Sequence, residues 1–117
     1  MTTSRVALVT GASRGIGRAC ARHLAMAGFD VAVAARTVRE GEGEAGLPGS
    51  LEAVAGDVKE AGQRALSCRL DLLDRQSCAA AVAATLAEFG RIDVLVNSGI
   101  FYGDGRMRLF ADTPIEE

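Results

Sequence analysis

The apolar residues of this chain fall into two kinds of pattern that follow one another in strict alternation. Val6-Ala7-Leu8-Val9 and Val31-Ala32-Val33-Ala34-Ala35 are short runs with no polar interruption. Such runs mark strands buried on both faces, as in a parallel sheet, because a strand with one wet face would alternate. Between them the spacing changes to three and four. Ile16, Ala19, Cys20, Leu24 and Ala27 predict a helix over residues 16–27, stopped by Gly28. Ser50 is placed to cap a second helix over residues 51–61, with Leu51, Val54 and Val58 as its apolar stripe and Gly62 as its end. Residues 65–70 predict a third strand. A third helix then runs from Asp74 or Arg75 to Phe89, with Ala79, Val82, Leu86 and Phe89 on one face and Gly90 as its stop, and residues 92–96 predict a fourth strand.

Strands alternating with helices belong to an α/β fold with a parallel sheet. Right-handed crossovers constrain the layout to a Rossmann-like, doubly wound sheet of expected order 3-2-1-4, with the first two helices on one face and the third on the other. Residues 40–49 alternate glutamate and glycine and include Pro48, so a flexible surface loop is expected over about residues 37–49. Residues 97–113 read as a Gly-rich loop, and Pro114-Ile115-Glu116-Glu117 as the first turn of a helix. The sheet is then cut off after its fourth strand, which leaves an apolar edge uncovered. An isolated chain of this kind is expected to be aggregation-prone or marginally folded.

Composition narrows the function classes. At 117 residues, 49% hydrophobic and 24% charged, the chain is a globular unit of one domain at most. A net charge of -2 and a pI near 5.4 argue against nucleic-acid or anionic-membrane partners, which want a basic surface. No apolar run approaches the roughly 20 residues that span a bilayer, and the first residues lack the layout of a signal peptide. A cytoplasmic protein is expected. Cys20, Cys68 and Cys78 are odd in number and show no Cys-x-x-Cys pairing, so they read as reduced core residues, with no metal site expected.

The first strand runs directly into Thr10-Gly11-Ala12-Ser13-Arg14-Gly15-Ile16-Gly17. A Gly-x-x-x-Gly-x-Gly turn between a strand and a helix suits a pyrophosphate. Gly11 permits the sharp exit from the strand, Gly15 lets an anion approach the main chain, and Gly17 lets the helix pack closely. The helix start supplies free N–H groups and the positive end of its dipole. After the second strand, an acidic residue would bond the ribose 2′-hydroxyl of NAD and repel a 2′-phosphate. Arg36 and Thr37 stand there instead, and Arg36 offers a planar fork suited to a phosphate dianion. Arg14 can approach the same phosphate from the glycine loop. NADP is therefore expected over NAD; the competing reading is that both arginines only decorate the surface.

With Asp71 after the third strand and Asn97 after the fourth, the ordered set resembles the N-terminal half of a short-chain dehydrogenase/reductase. The resemblance covers essentially the whole chain but about half of a family domain. It implies an oxidoreductase that moves a hydride between a nicotinamide cofactor and a carbonyl or alcohol. It also implies that Ala35 holds the place often taken by Asp in NAD-preferring relatives. By the same likeness Asp71 accepts from the adenine amino group with the Leu72 backbone nearby; the alternative is an aspartate that serves a helix N-terminus. Asn97-Ser98-Gly99-Ile100 corresponds to the family's Asn-Asn-Ala-Gly stretch in its first residue only. There Asn97 would brace the central strands and Gly99 would leave room for the nicotinamide ribose.

The family's catalytic Tyr-x-x-x-Lys pair and its serine are not found. The one tyrosine, Tyr102, and the one lysine, Lys59, are too far apart in sequence. Tyr102 and Arg106 have the right interval, but Gly103 and Gly105 disfavour a helix there. His23 reads as a surface or packing residue of the first helix. No catalytic residue is assigned, and the chain alone is expected to be inactive; a non-catalytic nucleotide-binding or partner-binding role is the alternative. The loop before Gly49-Ser50-Leu51-Glu52 looks like that of hydroxysteroid dehydrogenase-like members, which implies a small, apolar substrate. Relatives commonly form dimers or tetramers, so a homo-oligomer is implied for the full-length protein.

Overall fold

A computed structural model describes residues 4–38 and 49–99. Among them, strands β1 (Val6–Thr10), β2 (Asp30–Ala35), β3 (Ala65–Arg69) and β4 (Val94–Asn97) form one parallel sheet in the order β3-β2-β1-β4. Helices α1 (Gly15–Met26), α2 (Leu51–Glu60) and α3 (Arg75–Phe89) connect them. This is the doubly wound order that the sequence predicts. β1 and β2 are buried at every position, which is why all their residues but Thr10 and Asp30, at the strand ends, are apolar.

Side-chain parity divides the core. Ala7, Val9, Val31, Val33 and Ala35 face α1 and α2, where Leu51, Val54 and Val58 of α2 are buried as expected. Leu8, Ala32 and Ala34 face α3, with Ala81 and Phe89. Ser50 caps α2: its Oγ accepts from the Ala53 N–H at 3.1 Å.

Two helix faces differ from expectation. On α1 the buried residues are Gly17, Ala21 and Ala25, with Cys20 and Leu24 at their margin, whereas Ile16 is 78% exposed and Ala19 and Ala27 are also exposed. The helix lies so close to the sheet that only small side chains fit beneath it. On α3 the buried residues are Ala81, Thr85 and Phe89, while Ala79, Val82 and Leu86 face outward. Thr85 is tolerated inside because its hydroxyl donates to the Ala81 carbonyl at 2.7 Å. Boundaries shift by a residue or two: α1 starts at Gly15, β2 at Asp30 and β4 at Val94. Thr37 and Gly49, at the ends of the expected flexible loop, are buried. Residues 39–48 of that loop, and Ile100, Tyr102, Arg106 and the expected Pro114 turn, lie outside the described residues. No described helix is long and apolar enough to cross a membrane.

The amino-terminal rim of the sheet is closed by polar bonds. Asp30 is 4% exposed and accepts from Gln63 Nε2 at 3.0 Å, from the Arg64 N–H at 3.0 Å and from Arg64 Nε at 3.2 Å. The Arg64 guanidinium also covers the Phe89 ring at 4.9 Å, and Arg5 covers Phe29 at 4.5 Å. Asp93 bonds the Val6 N–H through Oδ2 at 2.8 Å, and the Arg91 guanidinium beside it holds its carboxyl below the usual carboxylate range. Asp30→Ala removes the acceptor for three donors. It is expected to lower unfolding free energy by about 1–3 kcal/mol, read as a shift in urea midpoint at constant slope. A midpoint equal to that of the parent would show the Asp30 bonds to be energetically neutral.

Candidate functional site

The opposite rim is built differently. There the carboxyl ends of β1, β2 and β4 meet the start of α1, and glycines let four segments of backbone crowd together. Gly11 has φ +61°, and a Cβ on it would overlap the Ser98 carbonyl oxygen and lie 2.6 Å from the Gly99 nitrogen. The turn after β1 is thus in main-chain contact with the turn after β4. A Cβ on Gly17 would overlap the Gly11 carbonyl oxygen and lie 2.7 Å from its carbon, so the first turn of α1 rests directly on the turn it leaves. Gly15, at φ +59°, differs: a Cβ there would meet nothing within 4 Å. Its open side is where an anion can reach the backbone. Ala12 is fixed by its N–H bond to the Ala34 carbonyl at 3.1 Å, and Ser13 is buried beside it.

The α1 N-terminus carries no side-chain cap and no acidic residue in its first turn, whereas Ser50 caps α2 and Asp74 caps α3. Its free N–H groups and dipole therefore remain available to an anion.

Thr10 organises the rim, a role its place in a strand did not reveal. Its buried Oγ1 donates to the Val96 carbonyl at 3.3 Å and accepts from the Ser98 and Gly99 N–H groups at 3.1 and 3.2 Å. Asn97 pairs in register with Thr10 but is exposed, and its side chain makes no hydrogen bond among the described residues. Among the described residues, the side-chain bonds that brace the β1 and β4 ends are those of Thr10, and none is seen from Asn97.

At the end of β2 the structure brings Arg14 and Thr37 together, Nη2 donating to Thr37 Oγ1 at 3.2 Å. Arg14 Nε is buried without a hydrogen-bond partner among the described residues. Ala35 is buried and Arg36 is exposed, its carbonyl accepting from Arg69 Nε at 3.4 Å. Arg69 brings a further cation to this corner. The β3–β2 register opposite Ala35 places it there, and no local motif marks it.

Asp71 lies just past β3. One carboxylate oxygen, Oδ1, accepts from the Leu73 N–H at 3.0 Å, and its main chain exchanges bonds with the Ser77 hydroxyl. It is not the cap of α3; Asp74 is, accepting from the Gln76 N–H at 3.0 Å. Leu72 is half exposed, and its Cδ1 lies 3.2 Å from where a Gly99 Cβ would stand, which joins the β3 and β4 turns. Glycine turn, uncapped helix, arginine corner and the β3 and β4 turns all sit at the carboxyl rim, where open α/β sheets bind ligands.

Residues 5–117 match the short chain dehydrogenase family. The chain belongs to that family. Among curated relatives, hydroxysteroid dehydrogenase-like protein 2 of Xenopus tropicalis is 42% identical over 90 residues, which cover 77% of this chain and 21% of that protein. The expected likeness to hydroxysteroid dehydrogenase-like members is thus met, although the chain spans about a fifth of the length of such relatives. A metagenomic short-chain oxidoreductase in complex with NADP superposes with a TM-score of 0.70 at 41% identity, covering 86% of this chain and 42% of that one. The 3-oxoacyl-[acyl-carrier protein] reductase of Brucella melitensis, in complex with NAD, gives 0.69 at 36% identity, covering 85% of this chain and 34% of that one. Short-chain dehydrogenases are oxidoreductases, and these two structures show the same fold holding either nicotinamide dinucleotide.

Proposed function

We propose that this chain is the cofactor-binding half of a cytoplasmic, NADP-dependent short-chain oxidoreductase. Residues 1–117 then form the incomplete nucleotide-binding domain of a longer protein. Gly11, Ala12, Ser13, Gly15, Ile16 and Gly17 hold the pyrophosphate against the start of α1. Asp71 and Leu72 flank adenine, with the Asp71 carboxylate accepting from its amino group. Asn97 and Gly99 border the nicotinamide ribose. When bound, the nicotinamide supplies or accepts the hydride; the chain's own residues bind and orient it.

The observation that carries the NADP reading is the corner after β2. Arg14 and Thr37 are in contact at 3.2 Å, Arg36 follows the buried Ala35, and no acidic residue occurs in the sequence from Ala35 to Val38. A 2′-phosphate gains charge-assisted bonds there, and a 2′-hydroxyl finds no acidic acceptor. The two solved relatives do not decide between the cofactors, since one holds NADP and the other NAD. A small apolar carbonyl or alcohol substrate and homo-oligomeric assembly belong to the full-length protein.

Fluorescence titration is expected to give tighter binding of NADPH than of NADH, by about tenfold or more for one lost charged pair. Arg36→Asp is expected to reverse the order. Equal affinities in the parent would sink the NADP reading while leaving the fold assignment untouched.

A further inference from the structure

Arg14 is not held by Thr37 alone. Gly49, the residue before the α2 cap, is buried with φ +113°; a Cβ on it would overlap the Ser13 carbonyl oxygen and stand 3.0 Å from Arg14 Cβ and 3.3 Å from Arg14 Nε. The main chain of Gly49 therefore lies flat against the glycine loop and along the Arg14 side chain. Both flanks of the arginine are tied to one place. The Leu51 N–H donates to the Thr37 carbonyl at 2.9 Å and the Glu52 N–H to the Val38 carbonyl at 3.0 Å, while Ser50, 1% exposed, caps the same helix. The start of α2 thus staples the chain after β2 to the chain before α2, with the Arg14 side chain between them.

We infer that Gly49 is a positioning residue for 2′-phosphate recognition, bracketing the Arg14 guanidinium against Thr37 so that it is ordered before a ligand arrives. This rests on the NADP reading above. With Nε enclosed and one Nη2 proton given to Thr37, the remaining Nη protons are those a phosphate oxygen can take. A free surface arginine loses much of its rotamer freedom on binding; a bracketed one has lost it in folding, and the ligand gains the difference. Any side chain at position 49 meets the fixed Ser13 carbonyl, and φ +113° is itself unfavourable for an L residue. The bracket then opens by moving Arg14 away from Thr37.

The test compares adenosine 2′,5′-bisphosphate with 5′-AMP, which differ only in the 2′-phosphate, by calorimetric titration of the full-length chain. The parent is expected to favour the bisphosphate by about tenfold or more, as for one charged pair. Gly49→Ala is expected to cut that ratio by about fivefold while 5′-AMP affinity stays within about threefold. Thr37→Val, which keeps the shape and removes the hydroxyl, is expected to cut it by about threefold. It decides the matter if circular dichroism shows that Gly49→Ala is unfolded. A folded Gly49→Ala protein with the parental ratio, or with equal loss of both ligands, overturns the bracket, as does an unchanged ratio in Thr37→Val when that variant must decide. A parent that does not distinguish the two ligands instead overturns the NADP reading on which the bracket stands.

Discussion

Gly17→Ala is expected to melt several degrees below the parent and to lose most of its dinucleotide affinity, whereas Gly56→Ala is expected to melt above it. Both glycines lie in helices, and in both places alanine has the better helix propensity, by about 1 kcal/mol. What differs is the space. At Gly56, in α2, a Cβ meets nothing within 4 Å and the residue is exposed, so the propensity gain survives as about 0.5–1 kcal/mol of stability. At Gly17 the methyl overlaps the Gly11 carbonyl oxygen, and that carbonyl belongs to a turn already in contact with Ser98 and Gly99. Neither neighbour is a flexible side chain that can swing aside. Overpacking of about 1–3 kcal/mol outweighs the propensity gain, and α1 lifts off the turn whose N–H groups it completes. Paired thermal melts and NADPH titrations read both effects. A Gly17→Ala protein as stable as Gly56→Ala would mean that the helix start is looser than its contacts indicate.

Thr10→Val is expected to cost about 1–3 kcal/mol even though the two side chains have nearly the same shape. The hydroxyl oxygen is the acceptor for two N–H groups, and valine leaves both without a partner. Ser98 and Gly99 are half-buried, so water reaches them in part and holds the cost within that range. Hydrogen exchange at these two amides is expected to accelerate, while amides at the amino ends of the strands keep their protection. Thr10→Ser restores the oxygen and is expected to recover most of the loss. Unchanged exchange at both amides in Thr10→Val would show that the β4 turn is held by something else.

The strands and their order were legible because β1 and β2 are covered on both faces and hold polar residues only at their ends, where Thr10 and Asp30 find partners; unbroken apolar runs between are the direct result. The contact faces of α1 and α3 were not. A search for large apolar residues at helical spacing selects Ile16 on α1 and Val82 and Leu86 on α3, and all three are exposed. Close packing on the sheet selects size rather than hydrophobicity, so the true α1 face is Gly17, Ala21 and Ala25. On α3 an alanine-rich sequence gives little contrast between faces, and a threonine satisfied by its own helix hides one core position. At the site, the glycine spacing marked the turn where main chains come close, and the meeting of Arg14 with Thr37 was foreshadowed by the chemistry wanted after the second strand. Thr10 and Gly49 were not, because a threonine at a strand end and a glycine before a cap have ordinary local reasons to be there. Their second role exists only once segments distant in sequence are brought together.

The two rims of this sheet also set what can be altered without disturbing what. β1 is five residues long, so the salt-bridged amino rim and the glycine-built carboxyl rim stand roughly 16 Å apart at about 3.3 Å per residue. Changes at that separation, with no shared partners, combine additively. A tether or fluorophore attached near Gln63 or Arg91 is therefore expected to leave the proposed nucleotide edge facing solution, and a library confined to Arg14, Arg36 and Arg69 to vary the corner after β2 on a scaffold whose fastening lies at the other end.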